Sequence, residues 1–140
     1  MEISTPNAPA AVGPYSQARR QGNLLFVSGQ LPLDPKTGEM ASDAEEQMRQ
    51  VLANIEAIVT AAGAKMSDVL KTTVLVTDLS KFKQLNEIYA AAFPKPCPAR
   101  ATYQVAALPM GAQVEIEAVA VIPGEADHAC KGSCTAAALS

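Results

Sequence analysis

The sequence CPARATYQVAALPMGAQVEIEAVAV, residues 97–121, predicts two strands that flank the loop AALPMGA. Side chains alternate between the two faces of a strand, so each face can be considered separately. In the second strand, one face is apolar throughout and the other changes from polar to apolar. The first face comprises Val114, Ile116, Ala118, Ala120 and Ile122, and the second comprises Gln113, Glu115, Glu117, Val119 and Val121. A sheet built from this strand therefore has apolar surface to cover on both sides.

Arg100 is the one basic residue of this stretch, and it follows three prolines at positions 94, 96 and 98. Proline fixes its own φ and restricts the residue before it, so the backbone reaches Arg100 through few conformations. The strand alternation places Arg100, Thr102 and Gln104 on one face. The residues alone leave two functions open for the arginine. It either pairs with Glu115 or Glu117 across a terminal hairpin, or binds an anionic ligand through its rigid guanidinium fork.

The segment YSQARRQGNLLFVSG, residues 15–29, predicts a hairpin with a two-residue turn at Gly22-Asn23. Positions equidistant from the turn then face each other, so Arg19 lies opposite Phe26. This pairing is expected to bring four polar side chains onto one face at the open end of the hairpin. They are Tyr15, Gln17, Ser28 and Gln30.

Two helices and one further strand are predicted between the hairpin and the final strands. In the first helix, Ser42 and Glu45 suggest a capping box, apolar residues recur at helical spacing, and Gly63 ends the helix. The second helix is expected from about Leu79 to Phe93, before Pro94. Between them, VLKTTVLVTD predicts a strand. One face of that strand would carry Leu70, Thr72, Val74 and Val76.

The predicted order ββαβαββ describes an α+β sandwich in which two helices cover one face of a mixed sheet. The other face carries Val119 and Val121 on the last strand and Leu75 on the middle strand. An uncovered apolar sheet face invites association. We therefore expect a homo-oligomer, with a partner subunit covering this second face.

Composition limits the class of protein. The chain has 140 residues, a formal net charge of -3 and a pI near 5.1. We expect one domain over residues 1–123 and a disordered tail over residues 124–140. No apolar run approaches the roughly 20 residues of a membrane span, and an acidic chain without a basic stripe argues against nucleic-acid binding. The N-terminal sequence shows no signal or transit peptide, and three cysteines form no disulfide framework, so a cytoplasmic location is expected.

The only histidine, His128, lies in the tail with Cys130 and Cys134. Their spacing matches no common metal site, and no fourth ligand is evident, so we expect no metal. A histidine outside the patterned segments also argues against a Ser-His or Cys-His nucleophile.

The segments GPYSQA, FVSGQLPLDPKTGE, KTTVLVTDLSKF, NEIYAAAF and PARATYQVAALPMGAQVEIEAVAV resemble the Rid/YjgF family, in order, over residues 3–122. The resemblance is to its reactive intermediate deaminase A branch, close to the mammalian-type perchloric-acid-soluble proteins. It implies a chorismate-mutase-like fold, a homotrimer whose sheets form a central barrel, and ligand pockets at the subunit interfaces. It also implies cofactor-free hydrolysis of 2-imino acids such as 2-iminobutanoate and 2-iminopropanoate, as imines or enamines, to 2-keto acids and ammonia.

The resemblance further implies roles for individual residues. Arg100 matches the arginine of the family's PAR motif, which holds the substrate carboxylate, and Glu115 matches the glutamate of EIEA, which handles the water. The substrate-binding positions of GPYSQ and SGQ are matched by Tyr15, Ser28 and Gly29. Thr102, also expected in the binding site, stands where many bacterial members have cysteine; threonine serves equally well if the backbone amide makes the contact. Asn86 matches a common family position and is expected to be structural.

Two other functions stay open at this point. One is an endoribonuclease or translation inhibitor, against which the acidic pI and the missing core histidine both weigh. The other is a non-catalytic protein that binds small carboxylates, or exposed apolar segments as a holdase. The presence of both Arg100 and Glu115 favours catalysis over simple binding.

Overall fold

A computed structural model describes residues 1–124 as two helices packed on one face of a six-stranded mixed sheet. The strands are β1 (Glu2–Ile3), β2 (Ala18–Gln21), β3 (Leu24–Gln30), β4 (Val69–Val76), β5 (Ala99–Gln104) and β6 (Val114–Val121). The helices are α1 (Ala44–Ala61) and α2 (Phe82–Ala92). The predicted α+β class, with both helices on one face, is confirmed. The two-residue strand β1, which pairs with β2, was not predicted because it is too short for an alternating pattern to show.

The strands lie in the order β1-β2-β3-β6-β4-β5. Every neighbouring pair is antiparallel except β4 and β5, which are parallel and joined through α2. The predicted terminal hairpin of β5 with β6 is therefore wrong. A helix that crosses over between two strands returns the chain in its original direction, so β5 joins β4 as a parallel edge strand. The last strand, β6, then fills the centre of the sheet between β3 and β4.

The hairpin of β2 and β3 has the predicted register, with Arg19 opposite Phe26 across the Gly22-Asn23 turn. Its open end differs from the prediction. A β-bulge shifts the register of β3 against β6 between Val27 and Gln30. The bulge adds one residue to β3, so Gln30 lies on the buried, helix-covered face together with Val27. Ser28 is only half-buried. The prediction that these polar side chains share one face is therefore wrong at Gln30.

Helix α1 has Asp43 as its N-cap, with the carboxylate accepting a hydrogen bond from the Glu46 amide. The predicted cap, Ser42, lies one residue too early. The apolar stripe is confirmed, because Met48, Val51, Ile55, Ile58 and Val59 are all completely buried. After the helix, Gly63 adopts φ +88, a left-handed conformation that favours glycine.

Helix α2 begins at Phe82 because a 3-10 turn, Leu79–Lys81, precedes it. In β4, a second register shift between Val69 and Lys71 buries Val69 and leaves Leu70 half exposed, so the predicted inner position of Leu70 is wrong. Thr72, Val74 and Val76 are buried as predicted.

The outer face of the sheet carries apolar side chains without a helix over them. Phe26 is 49% exposed and Tyr103 is 57% exposed, while Leu75, Val119 and Val121 are partly exposed. The pattern predicted for β6 is confirmed, since Val114, Ile116, Ala118 and Ala120 are all buried under the helices. Within residues 1–124, no helix combines the length and apolarity needed to cross a membrane.

Candidate active site

Arg100 lies on the edge strand β5 and points toward α2. Its guanidinium carbon is 5.1 Å from the centroid of the Phe82 ring and 4.9 Å from that of Tyr89, distances at which a cation is attracted to an aromatic face. One terminal nitrogen, Nη1, donates a hydrogen bond of 2.6 Å to Oδ1 of Asn86. The side chain is otherwise exposed. Aromatic rings and an amide therefore hold the guanidinium while part of its fork stays open to solvent.

The ion pair considered for Arg100 does not form within the chain. In the part of the chain that the structure describes, the one salt bridge joins Arg49 to Glu46 on the surface of α1. Neither Glu115 nor Glu117 contacts the guanidinium, because β4 separates β5 from β6. The salt-bridge alternative is therefore wrong for a single subunit, and the cation is left without an acidic partner there.

Tyr89 anchors the groups around Arg100. Its hydroxyl shares a buried hydrogen bond of 2.7 Å with Oγ1 of Thr72, the residue directly opposite Arg100 on β4. Burial raises the pKa of the Tyr89 phenol, although the Thr72 hydrogen bond and the charge of Arg100 act in the opposite direction. The phenol therefore stays neutral beside the guanidinium.

Thr102 lies two residues after Arg100 on the same face of β5. Its Oγ1 is shielded from solvent and has no hydrogen-bond partner among the described residues. Its backbone groups have a different environment. The Val105 amide donates to the Val76 carbonyl of β4, and backbone groups alternate in direction along a strand, so the amide and carbonyl of Thr102 face the open edge. This position offers backbone hydrogen bonds at the edge rather than its hydroxyl.

Glu115 lies on the opposite face of the sheet, next to the β-bulge of β3. A Cβ added to Gly29 would come within 3.0 Å of Cδ and 3.2 Å of Oε1 of Glu115, so the carboxyl packs directly on the glycine backbone. An alanine at this position would therefore force the Glu115 carboxyl to shift by a few tenths of an ångström. The half-buried carboxyl has a raised pKa, first because burial disfavours its charge and second because Glu117 repels it. Within one subunit, Arg100 does not contribute to the pKa of Glu115.

Ser28 is hydrogen-bonded to the segment that carries Tyr15. The Ser28 hydroxyl donates to the Ser16 carbonyl at 2.5 Å, and the Ser28 amide donates to the Gln17 carbonyl at 2.9 Å. These bonds tie the bulge to the segment that carries Tyr15. The Tyr15 side chain is 51% exposed, and its hydroxyl accepts a hydrogen bond of 3.5 Å from the Val12 amide.

Gln17 fixes the N-terminal segment in this region. Its buried side-chain oxygen accepts a hydrogen bond from the Thr5 amide at 2.7 Å, and its Nε2 lies 2.8 Å from the Pro9 carbonyl, to which it donates. These bonds hold the start of the chain against the hairpin, close to the Tyr15 segment.

The six predicted site residues thus form two groups, with Arg100 and Glu115 on opposite faces of the sheet. The edge group comprises Arg100 and Thr102, and the bulge group comprises Tyr15, Ser28, Gly29 and Glu115. Arg100 pairs with Thr72, and Glu115 pairs with Leu75, so Arg100 and Glu115 are three residues apart along β4 and lie on its two sides. That offset corresponds to about 10 Å along the strands and about 10 Å across them. One subunit therefore does not bring Arg100 and Glu115 together.

The sequence pattern missed the residues that surround Arg100. Phe82 and Tyr89 were predicted only to lie within the second helix, and Asn86 was predicted to be structural. The three positions are spaced i, i+4 and i+7, which places them on one face of a helix. This spacing, in a helix directly before the strand that carries Arg100, is the sequence signal that could have predicted their contact with the arginine.

Within residues 1–124, no three His, Cys, Asp or Glu side chains are placed to share a metal ion. The tail residues His128, Cys130 and Cys134, and the prediction of a disordered tail, lie outside the described residues.

Comparison with known proteins gives consistent matches. The family model described as Endoribonuclease L-PSP matches residues 5–122. RutC family protein y4sK of Sinorhizobium fredii is 60% identical over 118 residues, which are 84% of this chain and 94% of that protein. The 2-iminobutanoate/2-iminopropanoate deaminase of Escherichia coli K12 is 50% identical over 122 residues, 85% of this chain and 95% of that protein. The crystal structure of RidA from the Antarctic bacterium Psychrobacter sp. PAMC 21119 superposes with a TM-score of 0.85 at 51% identity, covering 87% of this chain and 99% of that one.

Proposed function

The chain belongs to the Endoribonuclease L-PSP family, and on this premise we propose that it is a deaminase that hydrolyses 2-imino acids to 2-keto acids and ammonia. A relative that shares half of its residues over nearly its whole length carries the name of this activity. The family resemblance recognised in the sequence is thereby confirmed. The substrates are 2-iminobutanoate, 2-iminopropanoate and their enamine tautomers, small anions with an electrophilic carbon.

The observation that carries the proposal is the free guanidinium of Arg100. Arginine presents two parallel N–H groups that match the two oxygens of a carboxylate. Since Arg100 has no acidic partner in the described part of its own subunit, the fork is available to a substrate carboxylate. In this proposal the backbone amide of Thr102, at the open edge, gives the substrate a further hydrogen bond.

Glu115 is the proposed acid and base. Water adds to C2 of the protonated imine as the ionised Glu115 takes one of its protons, which forms a tetrahedral amino alcohol. Glu115 then returns that proton to the amine, the C–N bond breaks with its electrons on nitrogen, and ammonia leaves. The hydroxyl proton passes to solvent, and the 2-keto acid remains. A carboxyl whose pKa is raised by burial and by Glu117 exchanges a proton near neutral pH more readily than an ordinary glutamate.

The remaining members of the bulge group position the substrate. The Ser28 hydroxyl donates its hydrogen bond to the Ser16 carbonyl, so its oxygen can accept a hydrogen bond from the substrate but does not serve as a nucleophile. Gly29 allows the substrate and Glu115 to approach the backbone closely. Tyr15 is exposed and offers a phenolic hydroxyl from the adjoining segment.

Two subunits complete each site in this proposal. Arg100 and Glu115 lie on opposite faces of one sheet, the outer face exposes apolar side chains such as Phe26 and Tyr103, and the edge of β5 is unpaired in the described chain. A second copy whose β5 edge approaches the outer face of the first brings Arg100 of one subunit toward Glu115 of the other. A ring of three such contacts forms the homotrimer, with three sites.

The proposal requires no cofactor, because protonated imines react with water unaided and the protein has only to position them and move protons. The activity resides in the predicted domain, residues 1–123, and the proposed location is cytoplasmic. The ribonuclease alternative has no support from the charge, since the chain carries a net charge of -3 and Arg19-Arg20 is its only adjacent basic pair.

The deciding experiment follows keto-acid formation from 2-iminobutanoate, generated in place by a pyridoxal-phosphate-dependent threonine dehydratase. The wild-type chain is expected to accelerate the hydrolysis. Arg100→Lys and Arg100→Ala are each expected to lower kcat/KM by about a hundredfold or more, because lysine lacks the planar fork. A wild-type chain that leaves the rate of hydrolysis unchanged would refute the proposed function. Exposed Arg49, changed to Lys, is the matched control and should retain full activity.

A further inference from the structure

We propose that the α2 residues Phe82, Asn86 and Tyr89 form a neutral cradle that keeps Arg100 an uncompensated cation and so makes the site select an anionic substrate. The inference rests on the proposed function, because it names the residues that position Arg100 in the same site. Asn86 is its central residue. It acts through Arg100 and is therefore a positioning residue.

The geometry of the cradle follows from the helix. Phe82, Asn86 and Tyr89 lie on one face of α2, at positions i, i+4 and i+7. Two rings lie within 5.1 Å of the guanidinium carbon, and the amide oxygen of Asn86 accepts a hydrogen bond of 2.6 Å from Nη1. One donor of Nη1 is used by Asn86, so Nη2 and Nε remain as a second pair of parallel donors. The cradle therefore fixes the plane of the guanidinium while it leaves a fork for a carboxylate.

Tyr89 stabilises the cradle against the strand. Its hydroxyl is bound to Thr72, and Thr72 is the register partner of Arg100 on the neighbouring strand. The ring is thereby held relative to the backbone that carries the arginine. Burial raises the pKa of the phenol, so the ring adds no negative charge.

The charge of the cradle is the feature that determines specificity. All three contacting groups are neutral, and no carboxylate of the described chain pairs with Arg100. An aspartate at position 86 would differ from asparagine by little more than an –NH₂ replaced by oxygen, yet it would pair with the guanidinium by charge-assisted hydrogen bonds. Such a pair would compete with the substrate carboxylate for the same cation. Asparagine positions the arginine without neutralising it.

The test compares Asn86→Asp with Gln84→Glu, which adds the same charge to an exposed position on the same helix. Calorimetry measures the Kd of 2-oxobutanoate and of its uncharged amide, 2-oxobutanamide. We expect Asn86→Asp to weaken 2-oxobutanoate binding by about tenfold or more and to leave the amide unaffected, whereas Gln84→Glu changes neither. A misfolded variant would lose the binding of both 2-oxobutanoate and 2-oxobutanamide. Thermal unfolding of each variant tests separately whether it is folded.

A second variant, Asn86→Ala, separates charge from positioning. It removes the hydrogen bond without adding a carboxylate, so we expect a loss of only about threefold for 2-oxobutanoate. In the imine assay, Asn86→Asp should raise KM and leave kcat within about twofold, since the chemical step uses other residues. Asn86→Asp that binds 2-oxobutanoate as tightly as the wild type overturns the cradle. The two proposals can fail separately. If Asn86→Asp weakens 2-oxobutanoate binding as expected but the wild-type chain does not hydrolyse the imine, only the deaminase function is contradicted.

Discussion

Subunit complementation tests the assembly of the site most directly. Arg100→Ala removes the carboxylate fork from the edge group, and Glu115→Gln removes the proton carrier from the bulge group. Each variant alone should be nearly inactive. Within one subunit the two residues lie on opposite faces of the sheet, offset by three residues along β4. In the proposed homotrimer, however, a mixed assembly can combine Arg100 of one copy with Glu115 of another.

The expected recovery follows from counting. When the two variants associate at random in equal amounts, half of the sites receive an intact edge group and half receive an intact bulge group. About a quarter of the sites then contain both, so the mixture should recover about a quarter of the wild-type activity. If both groups of a site came from one subunit, the mixture would remain as inactive as its components.

The assay needs subunit exchange, obtained by co-expression or by refolding the mixed chains, with native mass spectrometry to confirm the mixed trimers. Keto-acid formation from 2-iminobutanoate then gives the activity. The matched control mixes wild type with the double variant that carries both substitutions. A site shared between subunits predicts about a quarter of the activity of an all-wild-type sample, and a site within one subunit predicts about half. No recovery in the first mixture, with half activity in the control, would refute the shared site.

Two further predictions concern the carboxyl of Glu115. Glu117 raises the pKa of Glu115, so Glu117→Gln should lower that pKa. Because the proposed base is the ionised form, the acidic limb of the pH profile of kcat/KM should then move to lower pH. An acidic limb that does not move between the wild-type and variant profiles would contradict this coupling. Gly29→Ala places a methyl group 3.0 Å from Cδ of Glu115, which should shift the carboxyl by a few tenths of an ångström and lower kcat by about threefold to tenfold. Circular dichroism should show the fold unchanged, and full activity in Gly29→Ala would show that the carboxyl is not used where it lies.

Local patterns in the sequence predicted the elements of the fold well. The helices bury continuous apolar stripes, and β6 alternates over its whole length, so their periods are visible without any knowledge of their partners. The errors occur where one residue changes the phase. The bulges near Ser28 and Leu70 reverse the alternation, and the sequence contains no signal for them beyond a glycine at position 29.

Strand order was beyond the reach of the sequence pattern. The residues of β5 and β6 suggest a hairpin because the two strands are consecutive and joined by a loop with turn residues. The structure places β4 between them because β5 pairs in parallel with the strand that precedes α2. This one difference puts β4 between the strands of Arg100 and Glu115, and the observed register places the two residues on opposite faces. The types of the site residues could therefore be predicted, and their arrangement could not.

The separation of Arg100 from Glu115 is consistent with the chemistry proposed for them. In one subunit, an arginine beside a glutamate would form an ion pair, lower the pKa of the carboxyl and occupy the fork before any substrate arrived. Here burial and Glu117 raise the pKa of Glu115, while neutral groups hold Arg100. In the proposed two-subunit site, a substrate carboxylate between Arg100 and Glu115 can take the cation and leave the glutamate free to exchange protons. In this proposal, Asn86 holds Arg100 without neutralising it, so the cation is available to the substrate. Glu117 raises the pKa of Glu115, so the carboxyl can exchange protons.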